Sequence, residues 1–590
     1  MNLKEKIQNI FSNKVWGGLI VLSALTLAYH WYLNRFAPIT EGWFSTYCTA
    51  MMHGKVPYRD FYFFITPFYL YLYLGIMTIF GGTFLVQRLY GAAERVGLNG
   101  ILYITLTKYF KPAVALFACV VGFCLYANHS TDLIYSYYQT ALLFAVICVF
   151  ALSRYDNKKS FWPLVFTGVF SAMCFLTKQS MGLFIFTLIF CYLFIILFHR
   201  PKKMFDAFAA VIIPAAAVLI IMALYLNSKG ALDDCISQIF TDGIQSKGSM
   251  AEIITGFYAT TFTIKKIAVF ALAFAGWISL RKGLIPIKER KFNKKEMTII
   301  IILIFLFSLL ICNINLFSFK SFVVNSVFYS SCLLGGYYAF WGFKRELKPR
   351  ESFYLLMSGA SFAIMYSHGL SAMLEDHSSL IGFSFFIALL IETKTHFNKI
   401  KNIFVIIFFS VFTCFLIFNR YSAPYDWWSD KEDAVWTADS KVDIPAYKGL
   451  KMSDSSAQKY QELISLIHQN IKTPEDKIYI SQNIAGLYYA SGTQPFTFAY
   501  ADYFDVCNDA CALRNAKDIK TTMPKMIIYL DFPEYIWILH ERIFRQSRPS
   551  KQREIRQTIK DISKNYNLIK VYNETKSYLD DYRLYVWVRK

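Results

Sequence analysis

Uninterrupted apolar runs recur along the first 418 residues, and short loops rich in Lys and Arg separate them. Runs such as Ile299 to Cys312 and Ile403 to Phe418 are too numerous for a soluble core. A helix satisfies its own backbone hydrogen bonds, so each run predicts a membrane-spanning helix. The pattern predicts about thirteen spans, near 15–33, 87–107, 112–127, 139–152, 161–177 and 181–198 and then near residues 207, 262, 297, 323, 352, 379 and 402.

The apolar stretch Pro67 to Phe80 decides the topology. It is only fourteen residues long and rich in tyrosine at one end, which is short for a span. If it crossed, the basic clusters, such as Arg154 with Lys158 and Lys159, would face outward, against the positive-inside rule. We therefore expect it to lie along the interface. The outer side then holds residues 34–86, 128–138, 227–261, 313–322 and 367–378 and everything after 418.

The hydropathy changes after Phe418. The polar, aromatic linker YSAPYDWWSDKEDAVW precedes helical spacing over Ala457 to Asn470, the strand-like KIYIS and KMIIYL, and a closing hairpin of SKNYNLIKVYNE with YRLYVWV. The predicted fold is an all-α polytopic membrane domain over 1–418, with outer juxtamembrane helices at 34–86, followed by an α/β domain over 419–590 in the periplasm.

Composition agrees with this division, since 55% of residues are hydrophobic and only 17% are charged. The net charge of +21 does not indicate nucleic acid. Only +3 follows Phe418, and the other +18 belongs to the membrane half, where the basic residues lie in short loops between spans. Eight of the twelve cysteines fall inside predicted spans. Cys507 and Cys511 form a disulfide in one interpretation, and in the other their spacing is coincidence.

Ionisable residues gather in three outer loops, where a charge near lipid is costly unless it is used. The first loop contains Glu41 and Asp60, and the second contains Asp132. Glu41 alone would be read as a carboxylate at the N-terminus of a helix. The third loop carries His368, Glu375, Asp376 and His377. For these histidines the alternative is an ordinary interfacial role, so no metal or cofactor is expected, with a divalent cation left open.

Lys178 is a lone charge in the tight apolar hairpin CFLTKQSMG. Its side chain either snorkels toward water or binds phosphate. Taken with the carboxylates, it suits transfer from a lipid phosphate, in which a carboxylate polarises an acceptor hydroxyl and a cation stabilises the leaving phosphate.

Several segments together resemble the GT-C superfamily of polyprenyl-phosphate-sugar-dependent glycosyltransferases, in particular the bacterial branch similar to protein mannosyltransferases and aminoarabinose transferases. Members have an acidic residue just after the first span and then a G-x-V-P-Y-R-D segment, matched by Glu41 and by Gly54 to Asp60. DLIYSYYQ, FLTKQSMGL and SHGLSAMLEDH resemble later motifs of the branch, and KIYISQNIAGLYYASGTQPFTFAY its outer domain. Many relatives have Asp-Glu where this chain has Thr40-Glu41, so the resemblance implies that Glu41 is the base if that role is preserved.

The resemblance implies transfer of a sugar, with inversion, from a polyprenyl-phosphate donor to a periplasmic glycan, lipid or protein, by an enzyme of the inner membrane. It implies catalytic roles for Glu41, Asp60 and Asp132. The implied substrate-binding residues are Tyr58, Arg59, Lys178, Gln179, His368, Glu375 and His377. Two alternatives are a transporter or flippase, which many spans with buried charges also describe, and a scaffold that binds envelope partners.

Overall fold

The computed structural model describes residues 13–129, 133–155, 160–242, 250–282, 294–371, 374–394, 398–427, 430–481, 483–504, 506–573 and 583–590. Helices make up nearly all of the described chain before residue 423, and a small sheet lies near the C-terminus. The helices of the first part are α1 Lys14–Tyr29, α2 Trp43–Met52, α3 Phe68–Phe80, α4 Phe84–Leu106, α5 Pro112–Tyr126, α6 Tyr137–Arg154, α7 Trp162–Thr177, α8 Gln179–Leu197, α9 Pro201–Ser228, α10 Leu232–Ile236, α11 Met250–Thr261, α12 Ile264–Lys282, α13 Lys294–Lys344, α14 Pro349–Ser371, α15 Leu380–Glu392 and α16 Asn398–Ser422.

Apolar helices able to cross a membrane occur throughout this part. Among the described residues, four are long and apolar enough by themselves, namely α6, α8, α9 and α16, and the number rises to six if the bent pairs α3–α4 and α11–α12 each count as one span. Shorter apolar helices occupy most of the other predicted positions, including α1, α5, α7 and α15. The chain is therefore a membrane protein, but the predicted number of thirteen spans is not confirmed.

Helix α13 corrects the prediction of two spans near 297 and 323. It is one continuous helix of 51 residues, with no loop at 313–322. At 1.5 Å per residue it is about 75 Å long, more than twice the ~30 Å thickness of a hydrocarbon core. The sequence from Ile311 to Phe322 contains neither Pro nor Gly, so nothing in it interrupts the backbone hydrogen bonds.

Helix α3 covers the stretch that decides the topology. Its axis makes an angle of 119° with that of α4, which follows after three residues. Tyr69 and Tyr73 are buried and contact the ring of Phe44 in the first outer loop, at centroid distances of 4.8 and 6.0 Å. The stretch is therefore packed by loop residues and is not a straight extension of the next span, and its position along the membrane interface stays a prediction.

Hydrogen bonds and ion pairs join four of the predicted cytoplasmic loops, those after α4, α8, α13 and α15, at one end of the bundle. Arg200, before α9, pairs with Glu346, after α13, at 2.6 Å. Glu392, at the end of α15, accepts a hydrogen bond of 2.7 Å from the backbone N–H of Lys111 and pairs with Arg350. These loops are near one another, as the charge pattern predicts, whereas the loops after α5 and α14 meet at the opposite end.

The C-terminal part is an α/β domain, as predicted. Its four-stranded sheet has the order β3-β4-β6-β5, in which β3 and β4 are parallel and the other pairs are antiparallel. The predicted KIYIS and KMIIYL form β3 and β4, and the predicted closing hairpin forms β5 and β6. The elements are β1 Asp426–Trp427, β2 Asp430–Lys431, α17 Asp454–Asn470, β3 Ile478–Ile480, α18 Gly486–Ser491, α19 Asp509–Thr522, β4 Met526–Asp531, α20 Glu534–Phe544, α21 Gln552–Ile562, β5 Tyr566–Asn573 and β6 Arg583–Arg589.

Two boundary details differ from the predictions. Helix α16 continues to Ser422, four residues past the predicted domain boundary at 418, because NRYS carries no helix breaker. Cys507 and Cys511 are free thiols, so the structure does not contain the disulfide. Both lie in the core of the outer domain, where they act as small apolar side chains.

The C-terminal domain sits directly on the first outer loop. Tyr460 donates a hydrogen bond of 2.7 Å to the carbonyl of Ala37, and Thr46 donates one of 2.8 Å to the carbonyl of Ala485. A side chain at Gly486 would put its Cβ 1.9 Å from the carbonyl oxygen of Glu41. The two backbones can approach this closely only because residue 486 has no Cβ.

Gly486→Ala is expected to loosen this contact, since the methyl group forces the backbone of Glu41 or of α18 to move. Overpacking of this kind costs about 1–3 kcal/mol. The thermal unfolding temperature of the purified protein should fall, and limited proteolysis of the linker after α16 should become faster. Gly75→Ala is the matched control, because no atom lies within 4 Å of the added methyl group. Equal behaviour of the two variants would contradict a tight contact.

Candidate active site

Three histidines surround one carboxylate at the end of the bundle opposite the basic loops. His129 follows α5, His368 lies in the last turn of α14, and Glu375 and His377 flank Asp376 in the loop after α14. Glu375 Oε2 lies 2.9 Å from His368 Nε2, 3.2 Å from His129 Nε2 and 3.6 Å from His377 Nδ1. We call these four residues the histidine cluster. The structure thus brings together three of the predicted site residues and adds His129.

A tight turn presents the acidic and imidazole groups of this loop. Residues Asp376–Ser378 form a single 3₁₀ turn. Ser378 donates both its N–H and its hydroxyl to the carbonyl of Glu375, and Ser379 does the same with the carbonyl of Asp376. Because serine hydroxyls satisfy the turn's carbonyls, the side chains of Glu375, Asp376 and His377 remain available for contacts outside the turn.

The partners of the cluster set its charge. Burial alone would raise the pKa of Glu375, but hydrogen bonds with His129 and His368 outweigh burial and lower that pKa far below its usual range. Burial lowers the pKa of His377 well below its usual value, and the neighbouring imidazoles lower it further. At neutral pH the arrangement therefore contains an ionised Glu375 beside a neutral His377.

Lys320 of α13 contacts two residues that adjoin the histidine cluster in sequence, Asp376 and Asn128. Its ammonium nitrogen lies 2.5 Å from Asp376 Oδ2 and donates a hydrogen bond of 3.1 Å to Asn128 Oδ1. Arg420, near the end of α16, donates a hydrogen bond of 2.8 Å to the carbonyl of His129. Helices α13 and α16 therefore fix the loops after α5 and α14 through charged side chains.

Lys178 approaches the cluster across one aromatic ring. Its ammonium nitrogen lies 4.8 Å from the centre of the Tyr138 ring, and that ring contacts His368 and His377 at centroid distances of 5.0 and 4.5 Å. Lys178 is 7% exposed and is the single residue between α7 and α8. The positive end of the α8 dipole therefore adds to its charge.

The α7–α8 hairpin is tight because of one glycine. A Cβ at Gly182 would lie 2.1 Å from Cα of Phe175. Gly182 thus allows the two helices to touch one turn below Lys178. Gln179 begins α8, and its buried Oε1 accepts no hydrogen bond within the described chain. Lys178 and Gln179 are therefore held at the end of the α7–α8 hairpin by helix packing and not by a flexible loop.

Glu41 lies in a different environment from the one predicted for a base. Arg88 of α4 donates from Nε to Glu41 Oε1 at 2.9 Å and pairs through Nη2 with Oε2. The same guanidinium donates to the carbonyls of Leu33 and Phe36. Both charged side chains are at most 1% exposed. This geometry is that of a buried structural ion pair, because both carboxylate oxygens already hold a partner.

The predicted residues Tyr58, Arg59 and Asp60 form a self-contained turn. Asp60 accepts hydrogen bonds from Arg59 and, at 2.7 Å, from the N–H of Val56, and the hydrogen bond from Arg59 lowers its pKa. Tyr58 is buried, has a φ of 70°, and donates to the carbonyl of Ile65. Arg59 also donates to the carbonyl of Lys229, after α9. These contacts shape the first outer loop, whereas the predicted Asp132 lies outside the described residues.

Sequence reasoning missed Arg88, His129 and Lys320. Arg88 and Arg95 are seven residues apart in a predicted span, a spacing that places both on one helix face and was a usable signal. Arg95 is also buried and donates to Gln139 at 2.6 Å. Lys320 is a lone charge in a long apolar run, and His129 precedes Asp132 by three residues in the second outer loop.

An apolar cavity lies between α8, α13 and α14. Its volume is about 370 Å³, and its walls include Phe184, Cys191, Ser331, Gly335, Gly359 and Ala363. Phe184 also contacts Tyr366 at a ring distance of 5.1 Å. The helices that line the cavity also position Lys178, Lys320 and His368, since Lys178 directly precedes α8, Lys320 lies in α13 and His368 lies in the last turn of α14.

Comparisons with known proteins give a distant likeness. No family model and no curated protein matches the chain. It is similar to the crystal structure of ArnT from Cupriavidus metallidurans in the apo state, with 12% identity, a TM-score of 0.41 and 97% of each chain covered. For the same protein bound to undecaprenyl phosphate, the identity is 11% and the TM-score 0.40, over 97% of this chain and 98% of that one. A likeness with these values decides neither the fold nor the activity.

Glu41→Gln is expected to destabilise the protein strongly, because it leaves the buried charge of Arg88 without a full partner. Breaking a buried pair in this way costs about 3–5 kcal/mol. Thermal unfolding of the purified variant should show a lowered midpoint. Glu346→Gln, which removes the exposed partner of Arg200, is the matched control and should leave the midpoint nearly unchanged. A Glu41→Gln protein of normal stability that lacks activity would instead support the catalytic role.

Proposed function

We propose that this chain is an integral membrane glycosyltransferase that transfers a sugar from a polyprenyl-phosphate donor to a periplasmic glycan, lipid or protein. The observation that carries the proposal is the apolar cavity between α8, α13 and α14, together with two lysines on the same helices, Lys178 directly before α8 and Lys320 within α13. A lipid phosphate has the same two parts, an apolar tail and an anionic head. The resemblance of the sequence motifs points to the same substrate class.

The spacing along the helices suits such an amphiphile. Lys178 precedes Phe184 by six residues, and His368 follows Ala363 by five, so both lie roughly 8–9 Å along their helices from the cavity. A phosphate at Lys178 would place an attached sugar toward the histidine cluster and the prenyl chain between the helices. Sites of this kind combine apolar walls with a few fixed polar groups.

Lys178 has the features required to stabilise a leaving phosphate. It is 7% exposed and held by helix packing, so its charge is already in place when negative charge develops on the phosphate. The N-terminus of α8 supplies further positive potential. Tyr138 and Gln179 provide polar atoms beside it; Tyr138 OH and Gln179 Oε1 are buried and form no hydrogen bond within the described chain.

The base that activates the acceptor hydroxyl is a carboxylate of an outer loop. Among the three candidates, Glu41 is held by Arg88, and Asp60 by Arg59 and a backbone N–H. We therefore assign the role to Asp132, which follows His129 of the histidine cluster by three residues. Its carboxylate takes the hydroxyl proton as the acceptor oxygen attacks the sugar carbon and the phosphate leaves, which inverts that carbon.

The proposal places this reaction on the periplasmic side of the inner membrane, where the predicted outer loops and the C-terminal domain would lie. The donor would enter sideways from the bilayer, and the outer domain would face the acceptor. No nucleotide or nucleic acid takes part.

The direct test is mass spectrometry of envelope glycans, glycolipids and glycoproteins from cells with and without the gene. We expect loss of one hexose-like or pentose-like mass from a single acceptor class. An unchanged glycan profile, or a lipid-linked sugar that changes leaflet without forming a new glycosidic bond, would overturn the transferase in favour of a scaffold or a flippase.

Lys178→Ala should reduce transfer by about 10²–10³-fold, because it removes a fixed charge from the leaving phosphate. Complementation of the gene deletion, read by the restored sugar mass, measures this effect, and protein abundance in the membrane fraction controls for insertion. Lys178→Arg should recover part of the activity. Lys229→Ala, which removes an exposed lysine next to α9, should complement fully. Full complementation by Lys178→Ala would contradict the phosphate-binding role.

A further inference from the structure

One ring nitrogen of each histidine in the histidine cluster faces the same oxygen atom, Glu375 Oε2. A carboxylate oxygen has two lone pairs, yet Glu375 Oε2 is the common neighbour of three imidazole nitrogens. Two of them are within hydrogen-bond distance, whereas His377 Nδ1 is 3.6 Å away, buried and without a hydrogen-bond partner among the described residues. Hydrogen bonding to Glu375 therefore accounts for only part of the arrangement.

We infer that His129, His368, Glu375 and His377 form a binding site for one divalent cation of the zinc class. His368, Glu375 and His377 offer ligand atoms that all lie within 4.8 Å of one another, and His129 also approaches His377 within this limit. The inference does not depend on the proposed transfer reaction, since it requires only that these four side chains bind a metal ion.

The distances agree with such a site before an ion enters. Zinc bonds of 2.0–2.2 Å in a tetrahedron separate the ligand atoms by roughly 3.3–3.5 Å. The three nitrogens lie 2.9, 3.2 and 3.6 Å from Glu375 Oε2, which brackets that separation.

The donor set selects the kind of ion. Three imidazoles and one carboxylate suit zinc and its neighbours in the first transition row, whereas magnesium and calcium prefer sites made only of oxygen. One carboxylate against a doubly charged ion leaves one positive charge on the site. The second carboxylate, Asp376, is paired with Lys320 and lies close enough to His129 and His377 to replace one ligand.

The burial of the histidines and their packing against one another favour a single fixed position for the ion. His368 is 6% exposed, and its second nitrogen, Nδ1, has no hydrogen-bond partner in the described part of the chain. The rings of His129 and His368 both pack against the ring of His377, at centroid distances of 4.4 and 4.2 Å. An ion here would bind the end of α5, the end of α14 and the 3₁₀ turn to one another.

The experiment measures metal and not transfer. The full chain, purified without a histidine tag in detergent or nanodiscs, is stripped with a chelator and then titrated with Zn²⁺ in a chelator-buffered series. Bound zinc is counted by elemental mass spectrometry, and Co²⁺ is used as a spectroscopic probe, since a tetrahedral site gives strong visible absorption. We expect one equivalent of zinc and a tetrahedral Co²⁺ spectrum.

His377→Ala and, separately, His129→Gln should weaken zinc binding by roughly 100-fold or more. His53→Ala is the matched control, because His53 is exposed at the end of α2, and the hydrogen bond that its Nδ1 forms within the described chain is with the carbonyl of Thr49. Size-exclusion profiles and unfolding midpoints in metal-free buffer exclude misfolding as the cause. The inference is overturned if the wild type takes up less than one equivalent, or if both variants bind zinc as tightly as His53→Ala, which would show an adventitious ion only.

Discussion

The outer half of this molecule depends on the buried ion pair between Arg88 and Glu41. An uncompensated charge at this depth would cost several kcal/mol, so the two side chains must meet whenever the chain is folded. The guanidinium also holds the carbonyls of Leu33 and Phe36, which end the first helix region. One arginine of α4 thereby fixes where the chain leaves α1 and how it enters the first outer loop.

This constraint extends in two directions. Gly486 of the outer domain packs against the backbone of Glu41, so the ion pair also fixes the position of that domain on the first outer loop. On the other side, Phe44 contacts Tyr137 at a ring distance of 6.0 Å, and Tyr137 lies beneath Lys178. The first loop, the outer domain and the region around the histidine cluster are thus joined by continuous packing.

Sequence patterns predicted the features that depend on local periodicity. The helix positions, the α/β domain with its closing hairpin, and the meeting of His368, Glu375 and His377 all follow from hydropathy and from the placement of loops. The failures arise from tertiary pairing. Nothing in the first loop reveals that Glu41 faces Arg88, and a run of apolar residues does not show that α13 continues through Lys320. Hydropathy indicates whether a residue lies in water or in an apolar environment. The partner of a buried charge depends instead on which helices pack against each other.

The one-residue connection between α7 and α8 has an energetic consequence. A lysine on a mobile loop loses rotational freedom when it binds an anion, at a cost of about 0.5–1.5 kcal/mol for the side chain alone. Lys178 has already lost that freedom during folding, because two packed helices and the rings of Tyr137 and Tyr138 confine it. Binding of an anion therefore does not have to immobilise this side chain. Its conformational entropy is lost once, when the helical hairpin folds, and not each time an anion binds.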